Sequence, residues 1–265
     1  MKEKIKKILK VFLIAFIILT ALAFWAEKAF YFLEDEEDSP WLPCYINEDT
    51  ATIEIKGEII PYFMESGDDE EPNDYTVSED VVYCLDRAGQ NDDVRAVILE
   101  INSYGGSPVA SEEIMNAIKR LGKPSVAVVR ESAISGAYLI ASATDRIFAS
   151  EISDIGGIGV TMSYLDYSVQ NKKDGVTYQE LASGKFKNTG DPDKPLTAEE
   201  KELIMRDIKI SHEFFVKKVS QNRKLDIEKV KELADGSSML GKMAKENGLI
   251  DEIGDRNSAE EWINK

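Results

Sequence analysis

Histidine and cysteine are scarce in this sequence, and their scarcity limits the chemistry that the chain can perform. The 265 residues include one histidine, His212, and two cysteines, Cys44 and Cys84. The common zinc sites take four ligands, mostly from Cys and His side chains, so this set is too small for one. A histidine-based catalytic triad would depend on His212, which lies beside Glu213 in a long amphipathic stretch. We therefore interpret His212 as a helix residue, and we predict no metal and no cofactor.

The state of the two cysteines stays open at the level of sequence. A chain exported to an oxidising compartment could join Cys44 to Cys84 in a disulfide. Two free, buried thiols are equally consistent with the sequence.

Basic residues are also outnumbered, with 32 Lys and Arg against 49 Asp and Glu, and the net charge is −17 at pH 7. Nucleic acid and anionic lipid carry the same sign, so neither is expected as the main partner of the globular part. Hydrophobic residues make up 43% of the chain, as in ordinary globular proteins. The length allows one large core or two small ones.

The amino-terminal residues depart from this acidic trend. Lysines cluster within residues 1–10, ahead of an apolar run at residues 11–26. We predict a single-pass transmembrane anchor at residues 11–33, with the basic residues 1–10 in the cytoplasm and the remainder exported from the cell membrane. A cleaved signal peptide is the alternative, because Ala21-Leu22-Ala23 has the small-x-small form of a cleavage site. Residues 34–50 are then an acidic linker, and residues 51–265 form the globular domain.

Strand and helix patterns alternate through this domain. Ser78 is expected to cap the first helix, and Thr197 opens a capping box. Alternation at this spacing indicates βαβ units, so the predicted fold class is α/β with a parallel sheet. The expected strands are residues 51–60, 94–101, 125–130 and 146–149, with a sharp break after the second at residues 102–107, and further helices are expected at residues 109–121, 227–234 and 240–247.

Ser135 is the candidate nucleophile. It lies between the strand at residues 125–130 and a run of small residues with helical spacing, at or just inside a helix start. Free N–H groups at a helix start favour negative charge on a bound oxygen. Gly105 and Gly106 follow the preceding strand and are expected at the same end of the sheet. A serine needs a base to take its proton, and with His212 set aside the remaining candidate is a desolvated lysine.

Five groups of motifs occur in a fixed order along the chain. In order and spacing they resemble the signal peptide peptidase A family of membrane-bound serine peptidases, over roughly residues 51–256. The resemblance implies a Clp protease/crotonase-like fold, a Ser-Lys dyad and peptide substrates such as remnant signal peptides. The motifs are Ile101-Asn102-Ser103-x-Gly105-Gly106, Ile134-Ser135-Gly136-Ala137-Tyr138 with Ala143-x-Asp145-x-Ile147-x-Ala149, Gly157-Ile158-Gly159-Val160, Gly184-x-Phe186-Lys187, and Gly241-x-x-Ala244-x-x-x-Gly248-Leu249-Ile250-Asp251-x-Ile253-Gly254.

The same resemblance implies a role for each site residue. Ser135 is the nucleophile, Lys187 is the general base, and the amides of Gly136 and Gly105 stabilise the oxyanion. Lys185 is the rival base, but the family places its lysine directly after a bulky residue, which here favours Lys187. The resemblance also implies a homo-oligomeric ring in which the lysine of one subunit reaches the serine of its neighbour.

The sequence departs from the family pattern at three positions. Tyr104 replaces a proline, Ala137 replaces a glycine, and Gly157 replaces a serine whose hydroxyl helps to hold the lysine in the family. A second hypothesis is therefore a catalytically weak or inactive relative that keeps the fold as a scaffold. A third, a crotonase-type acyl-CoA enzyme, is disfavoured by the predicted anchor and by the spacing of Ser135 and Lys187.

Overall fold

The computed structural model describes Thr20 and residues 42–47, 49–62 and 75–265. The chain divides into two compact units, Met1–Leu42 and Pro43–Lys265, and every strand of the described residues belongs to the second. The predicted basic end and the predicted anchor at residues 11–33 lie outside the described residues, apart from Thr20. Within the described part of the chain, no helix is long and apolar enough to cross a membrane.

The described residues of Pro43–Lys265 form a nine-stranded sheet. Its strands are β1 (Cys44–Asn47), β2 (Thr50–Ile60), β3 (Tyr75–Val77), β4 (Ala96–Gly106), β5 (Ser125–Ile134), β6 (Arg146–Ala149), β7 (Asp154–Gly156), β8 (Ser238–Leu240) and β9 (Glu252–Ile253). The main path is β1-β2-β4-β5-β6-β9, while β3 pairs with β2, and β7 pairs with β5 and β8. Only the pairs β1 with β2 and β7 with β8 are antiparallel among the described residues.

Helices connect most of these strands. In the described residues they are α1 (Ser78–Gln90), α2 (Pro108–Arg120), α3 (Gly136–Ser142), α4 (Ser168–Lys173), α5 (Ala198–Arg223), α6 (Ile227–Leu233), α7 (Gly241–Glu246) and α8 (Arg256–Ile263). The parallel strands β2, β4, β5 and β6 are joined by crossovers that contain α1, α2 and α3. This arrangement confirms the predicted α/β class, and the capping box at Thr197 is present at the start of α5.

The strand β4 is longer than the sequence predicted. It continues to Gly106, where a break was expected after Ile101. After a shift in register Gly105 and Gly106 still pair with β2, and Ser103 pairs with Ala133 of β5. Ser103 makes this possible, since its Oγ donates to the Gly57 carbonyl oxygen at 2.6 Å. The strand β5 likewise extends to Ile134, so both strands reach the candidate site.

Several other elements differ from the predictions. Ser78 is the first residue of α1 rather than its cap; its Oγ donates to Glu113 at 2.5 Å and its side chain is buried. The strand β1 falls in the range predicted as a linker and pairs with β2. Cys44 on β1 is joined to Cys84 on α1 by a disulfide, with the two Cα atoms 6.1 Å apart. The helices α4 and α8 and the strands β3, β7 and β8 have no counterpart in the predictions.

Both faces of the sheet are covered. Residues 96–99 of β4 are all fully buried, and successive side chains of a strand point to opposite faces. The helix α8 covers one face through Ala259, Trp262 and Ile263, which pack on Ile98, Val126, Val128 and Phe148. The helix α3 is buried along its whole length, so the turn before it is held by a packed element.

Candidate active site

Ser135 lies on the tight turn between β5 and α3. It is the N-cap residue of α3 with φ 54° and ψ −124°, a conformation that suits glycine and that costs other residues on the order of 1–3 kcal/mol. Its N–H donates to the Gly156 carbonyl oxygen at 2.8 Å, and its own carbonyl oxygen accepts from the Leu139 N–H at 3.0 Å. These bonds on both sides hold the turn, and the hydroxyl is left at a half-buried position.

Gly105 and Gly136, the two glycines predicted to stabilise the oxyanion, pack closely at this turn. A Cβ on Gly105 would lie 2.9 Å from the Gly136 nitrogen and 2.9 Å from Ser135 Cβ, and Gly105 has a φ of +102°. A Cβ on Gly136 would lie 2.3 Å from Ser111 Oγ. Both positions therefore need glycine for space. The structure brings Ser135, Gly136 and Gly105 together, as the sequence motifs suggested.

The two predicted oxyanion donors have different surroundings. Gly136 is the first residue of α3, where backbone N–H groups have no partner within the helix, and it borders the cleft described below. The Gly105 N–H instead donates to Ser103 Oγ at 3.0 Å. Gly106, which the sequence reasoning did not assign a role, borders the cleft beside Gly136. To donate to an oxyanion, the Gly105 N–H would have to give up its hydrogen bond to Ser103 Oγ.

A cleft of about 810 Å³ opens beside Ser135. Its ionisable lining residues are Glu112, His212 and Asp235. The Asp235 carboxylate accepts hydrogen bonds from the hydroxyl and the backbone N–H of Ser237. Both bonds lower the pKa of Asp235, and the bond from the hydroxyl has the larger effect. Apolar side chains form much of the remaining wall: Val109, Ile134, Leu139, Val160, Ile210, Phe214 and Phe215.

His212 borders this cleft, which the sequence analysis did not anticipate. It lies on the helix α5, as the sequence predicted. Its spacing from Ile208 and Phe215 places it on the same side of the helix as these two apolar residues. That spacing was a usable signal, because Phe215 is buried against the body of the domain. Among the described residues, no group of three or more His, Cys, Asp or Glu side chains is placed to hold a metal ion.

Lys187 is exposed and is not part of the cleft lining. It lies in residues 161–197, the segment directly before α5 in the sequence, which we call the lysine arm. Its backbone N–H donates to the Gly184 carbonyl oxygen at 3.1 Å, and among the described residues no carboxylate pairs with its ammonium group. Lys185, the rival, pairs with Glu199 on the first turn of α5 at 2.6 Å. The structure therefore does not bring either lysine to the Ser135 cleft of its own chain.

Gly157 occupies a position that excludes a side chain. It has a φ of +59°, and a Cβ built there would lie 2.4 Å from Ile134 Cγ2 and 3.3 Å from the Ser135 nitrogen. Its N–H donates to the Ser237 carbonyl oxygen at 3.1 Å. A serine at this position would be strained at this φ and would force the Ile134 side chain to move, so the local packing fits glycine.

The fold and the cleft define an α/β protein with a serine on a strand-to-helix turn. The family model for peptidase family S49 matches residues 117–265, which include Ser135 and Lys187, and the chain belongs to this family of serine-type proteases, with the signal peptide peptidase A proteins as relatives.

The relatives are of different lengths. A putative protease of Methanocaldococcus jannaschii is 34% identical over 257 residues, which are 96% of this chain and 81% of the relative. The putative signal peptide peptidase SppA of Enterococcus faecium is 40% identical over 61% of this chain and 48% of the relative. Protease 4 of Haemophilus influenzae is 32% identical over 79% of this chain but 33% of its own length. The match thus spans about half or less of the last two proteins.

Proposed function

We propose that the chain is a membrane-anchored serine endopeptidase that hydrolyses peptides with a Ser135–Lys187 dyad. The observation that carries this proposal is the position of Ser135. It borders a cleft on a strained turn, and Gly105 and Gly136 pack so closely on the turn that its shape is fixed. Strain of this kind is typical of functional sites, where it holds a reactive group in one orientation.

The chemistry follows from this geometry. Ser135 Oγ attacks the carbonyl carbon of the peptide bond while its proton passes to Lys187 Nζ. The carbonyl oxygen becomes an oxyanion beside the amino end of α3, where the Gly136 N–H can donate to it. The C–N bond then breaks, the leaving amine takes the proton from the lysine, and water later hydrolyses the acyl-enzyme.

Lys187 is the proposed base because its ammonium group is uncommitted among the described residues. Lys185 is held by Glu199, and its Nζ also lies 5.3 Å from the centre of the Phe186 ring. A lysine at the surface stays protonated, so Lys187 must be desolvated before it can accept a proton. That desolvation has to come from outside the chain's own fold, since Lys187 is exposed in it.

A second copy of the chain is the proposed source of that desolvation. The lysine arm carries exposed large apolar side chains, which favour burial against another protein surface. Docking of the arm against a neighbour's cleft would place Lys187 beside that neighbour's Ser135, and a closed ring would satisfy every subunit. The exposed apolar residues of the arm are Met162, Leu165, Val169, Val176, Leu181 and Phe186.

Peptides rich in apolar residues, such as remnant signal peptides, are the proposed substrates. The apolar wall of the cleft supports this choice, because it would bury such side chains. The Cys44–Cys84 disulfide supports an exported domain, since disulfides persist in oxidising compartments. The proposed location is the outer face of the cell membrane, with the anchor at residues 11–33.

An activity-based label tests the nucleophile. A fluorophosphonate should label the full-length chain at Ser135, Ser135→Ala should abolish both labelling and peptide hydrolysis, and Ser183→Ala, at an exposed serine of the arm, should change neither. Labelling at another residue, or peptidase activity in Ser135→Ala, would overturn the assignment. Protease protection of sealed membrane vesicles tests the orientation, because an exported domain is digested only from the outer side.

A scaffold without catalysis is the second candidate. One observation favours it: Gly157 stands where the family has a serine that helps to hold the lysine, and a side chain there would clash with Ile134. On this alternative the folded, oligomeric chain would not react with the fluorophosphonate, so the same experiment separates the two functions.

A further inference from the structure

The lysine arm has an interior made of polar groups. None of its residues 161–197 is buried, and those that are half-buried are polar or glycine, with Leu196 as the one exception. Such a segment cannot be held in shape by apolar packing. Fixing a residue's backbone costs roughly 1–2 kcal/mol, so the arm needs specific hydrogen bonds to keep one conformation.

Tyr178 supplies the central contacts of this interior. Its hydroxyl donates to Asp191 Oδ2 at 2.9 Å and accepts from Asn188 Nδ2 at 3.4 Å. Asp191 Oδ1 in turn accepts from the Asp193 N–H at 2.9 Å. The Tyr178 hydroxyl therefore links Asn188, the residue after Lys187, to Asp191 at the end of the same turn.

The turn around Lys187 is closed by further bonds of its own. Besides the Lys187 N–H, Thr189 Oγ1 donates to the Phe186 carbonyl oxygen at 3.0 Å. The hydrogen bond to Asp191 raises the pKa of the Tyr178 phenol above its ordinary value. A hydrogen bond to a carboxylate is stronger than one between neutral groups, which suits it to hold an exposed turn.

We infer that Tyr178 is a positioning residue for Lys187, acting through Asn188 and Asp191 to fix the direction in which the turn at residues 186–191 presents the lysine. This inference rests on the proposed function, in which Lys187 is the base. Tyr178 touches neither substrate nor Ser135 in this role. It raises the fraction of time that the lysine is aligned for proton transfer, so its loss lowers kcat and leaves KM unchanged.

A double-mutant cycle tests the inference, with the rate of fluorophosphonate labelling at Ser135 as the readout. Tyr178→Phe removes only the hydroxyl, and it should slow labelling by about tenfold, less than the roughly hundredfold that a 1 Å misplacement can cost. Asp191→Ala should have a similar effect. Tyr164→Phe is the matched control: Tyr164 is an exposed tyrosine of the same arm, its hydroxyl makes no hydrogen bond within the described residues, and its rate should not change.

The decisive comparison is made in the Lys187→Ala background, at a reagent concentration that gives a measurable residual rate. A residue that acts only through Lys187 has nothing left to position there, so adding Tyr178→Phe should slow labelling no further. An equal slowing in both backgrounds, or no slowing in the parent, would overturn the inference while leaving the dyad intact. A normal labelling rate in Lys187→Ala itself would overturn the proposed base and this inference together. Unchanged thermal midpoints exclude loss of fold as the cause.

Discussion

At the scale of single residues, the backbone of Ser135 is the feature that links stability to activity. A serine with φ 54° and ψ −124° occupies a conformation that glycine adopts with less strain. We expect Ser135→Gly to raise the free energy of unfolding by about 1 kcal/mol relative to Ser135→Ala, while both variants lose peptide hydrolysis. Thermal and denaturant unfolding measure the difference. Equal stability of the two variants would show that the turn is not strained.

The two lysines of the arm should respond differently to truncation. Lys187→Ala removes the proposed base and should lower kcat to background, whereas Lys185→Ala breaks an exposed ion pair with Glu199, and exposed pairs contribute about 0–1 kcal/mol. Steady-state peptide hydrolysis measures both. In the parent, kcat should rise with pH as the lysine loses its proton. If Lys185→Ala abolishes activity and Lys187→Ala retains it, the base is Lys185.

At the scale of elements, the start of α5 carries a pH-dependent contribution to stability. The Glu200 side chain accepts a hydrogen bond from the Thr197 N–H and pairs with Lys194. These contacts lower the pKa of Glu200 from 4.5 to about 2, and the bond from the Thr197 N–H has the largest effect. A lowered folded-state pKa stabilises the fold above pH 4.5, and the contribution is lost as the pH falls toward 2. Thermal midpoints of the wild type should therefore decrease over this window more steeply than those of Glu200→Gln.

A neighbouring carboxylate provides the control for this titration. Glu199 is exposed and pairs only with the exposed Lys185 within the described residues, so Glu199→Gln should keep the wild-type pH dependence. A parallel decrease in Glu200→Gln would assign the acid sensitivity to another group.

Sequence patterns predicted the elements whose burial follows a period, and they missed those that depend on distant partners. The strand β2 and the helix α2 have regular apolar spacing, and β6 is a short continuous apolar run, so local sequence was enough. The strand β1 was missed because three of its four residues are exposed, and only the pairing with β2 and the disulfide reveal it. The helix α8 did carry a local signal, a capping box formed by Asp255 and Ser258, that the sequence analysis overlooked.

In the candidate site, too, some features were predictable from local sequence and others depend on distant parts of the chain. Ser135 at a helix start was predictable from the strand, the turn and the small residues around it. The bond between the Gly105 N–H and Ser103 Oγ was not, because it depends on the unexpected continuation of β4. The helical spacing of Ile208, His212 and Phe215 indicates that His212 lies on the packed side of α5. That this side borders the cleft follows only once α5 is placed against the domain.

At the scale of the whole molecule, the disulfide joins residues 40 apart in sequence. A cross-link of this span restricts the unfolded chain, and reduction should lower the free energy of unfolding by about 4 kcal/mol. Denaturant unfolding with and without a reductant measures the change. Cys44→Ser, which cannot form the bridge, should be as unstable as the reduced wild type and insensitive to reductant. A wild type that unfolds identically in both conditions would remove this contribution.

Complementation between inactive chains tests whether the site is shared. Ser135→Ala supplies the lysine and Lys187→Ala supplies the serine, so subunit exchange should create complete sites. Random mixing in equal amounts predicts about a quarter of the wild-type activity, since half of the serines are intact and half of their neighbours carry the lysine. Verified mixed oligomers without activity would show that one chain provides both groups.

Because Lys187 is exposed and does not line the cleft of its own chain, the protein concentration in an assay should itself affect the measured turnover. If the neighbouring subunit provides the base, turnover per chain falls on dilution because the subunits separate. The measured rate then increases more than proportionally with protein concentration. Confinement of chains to a surface would oppose this fall, because it keeps neighbours within reach at low total amounts.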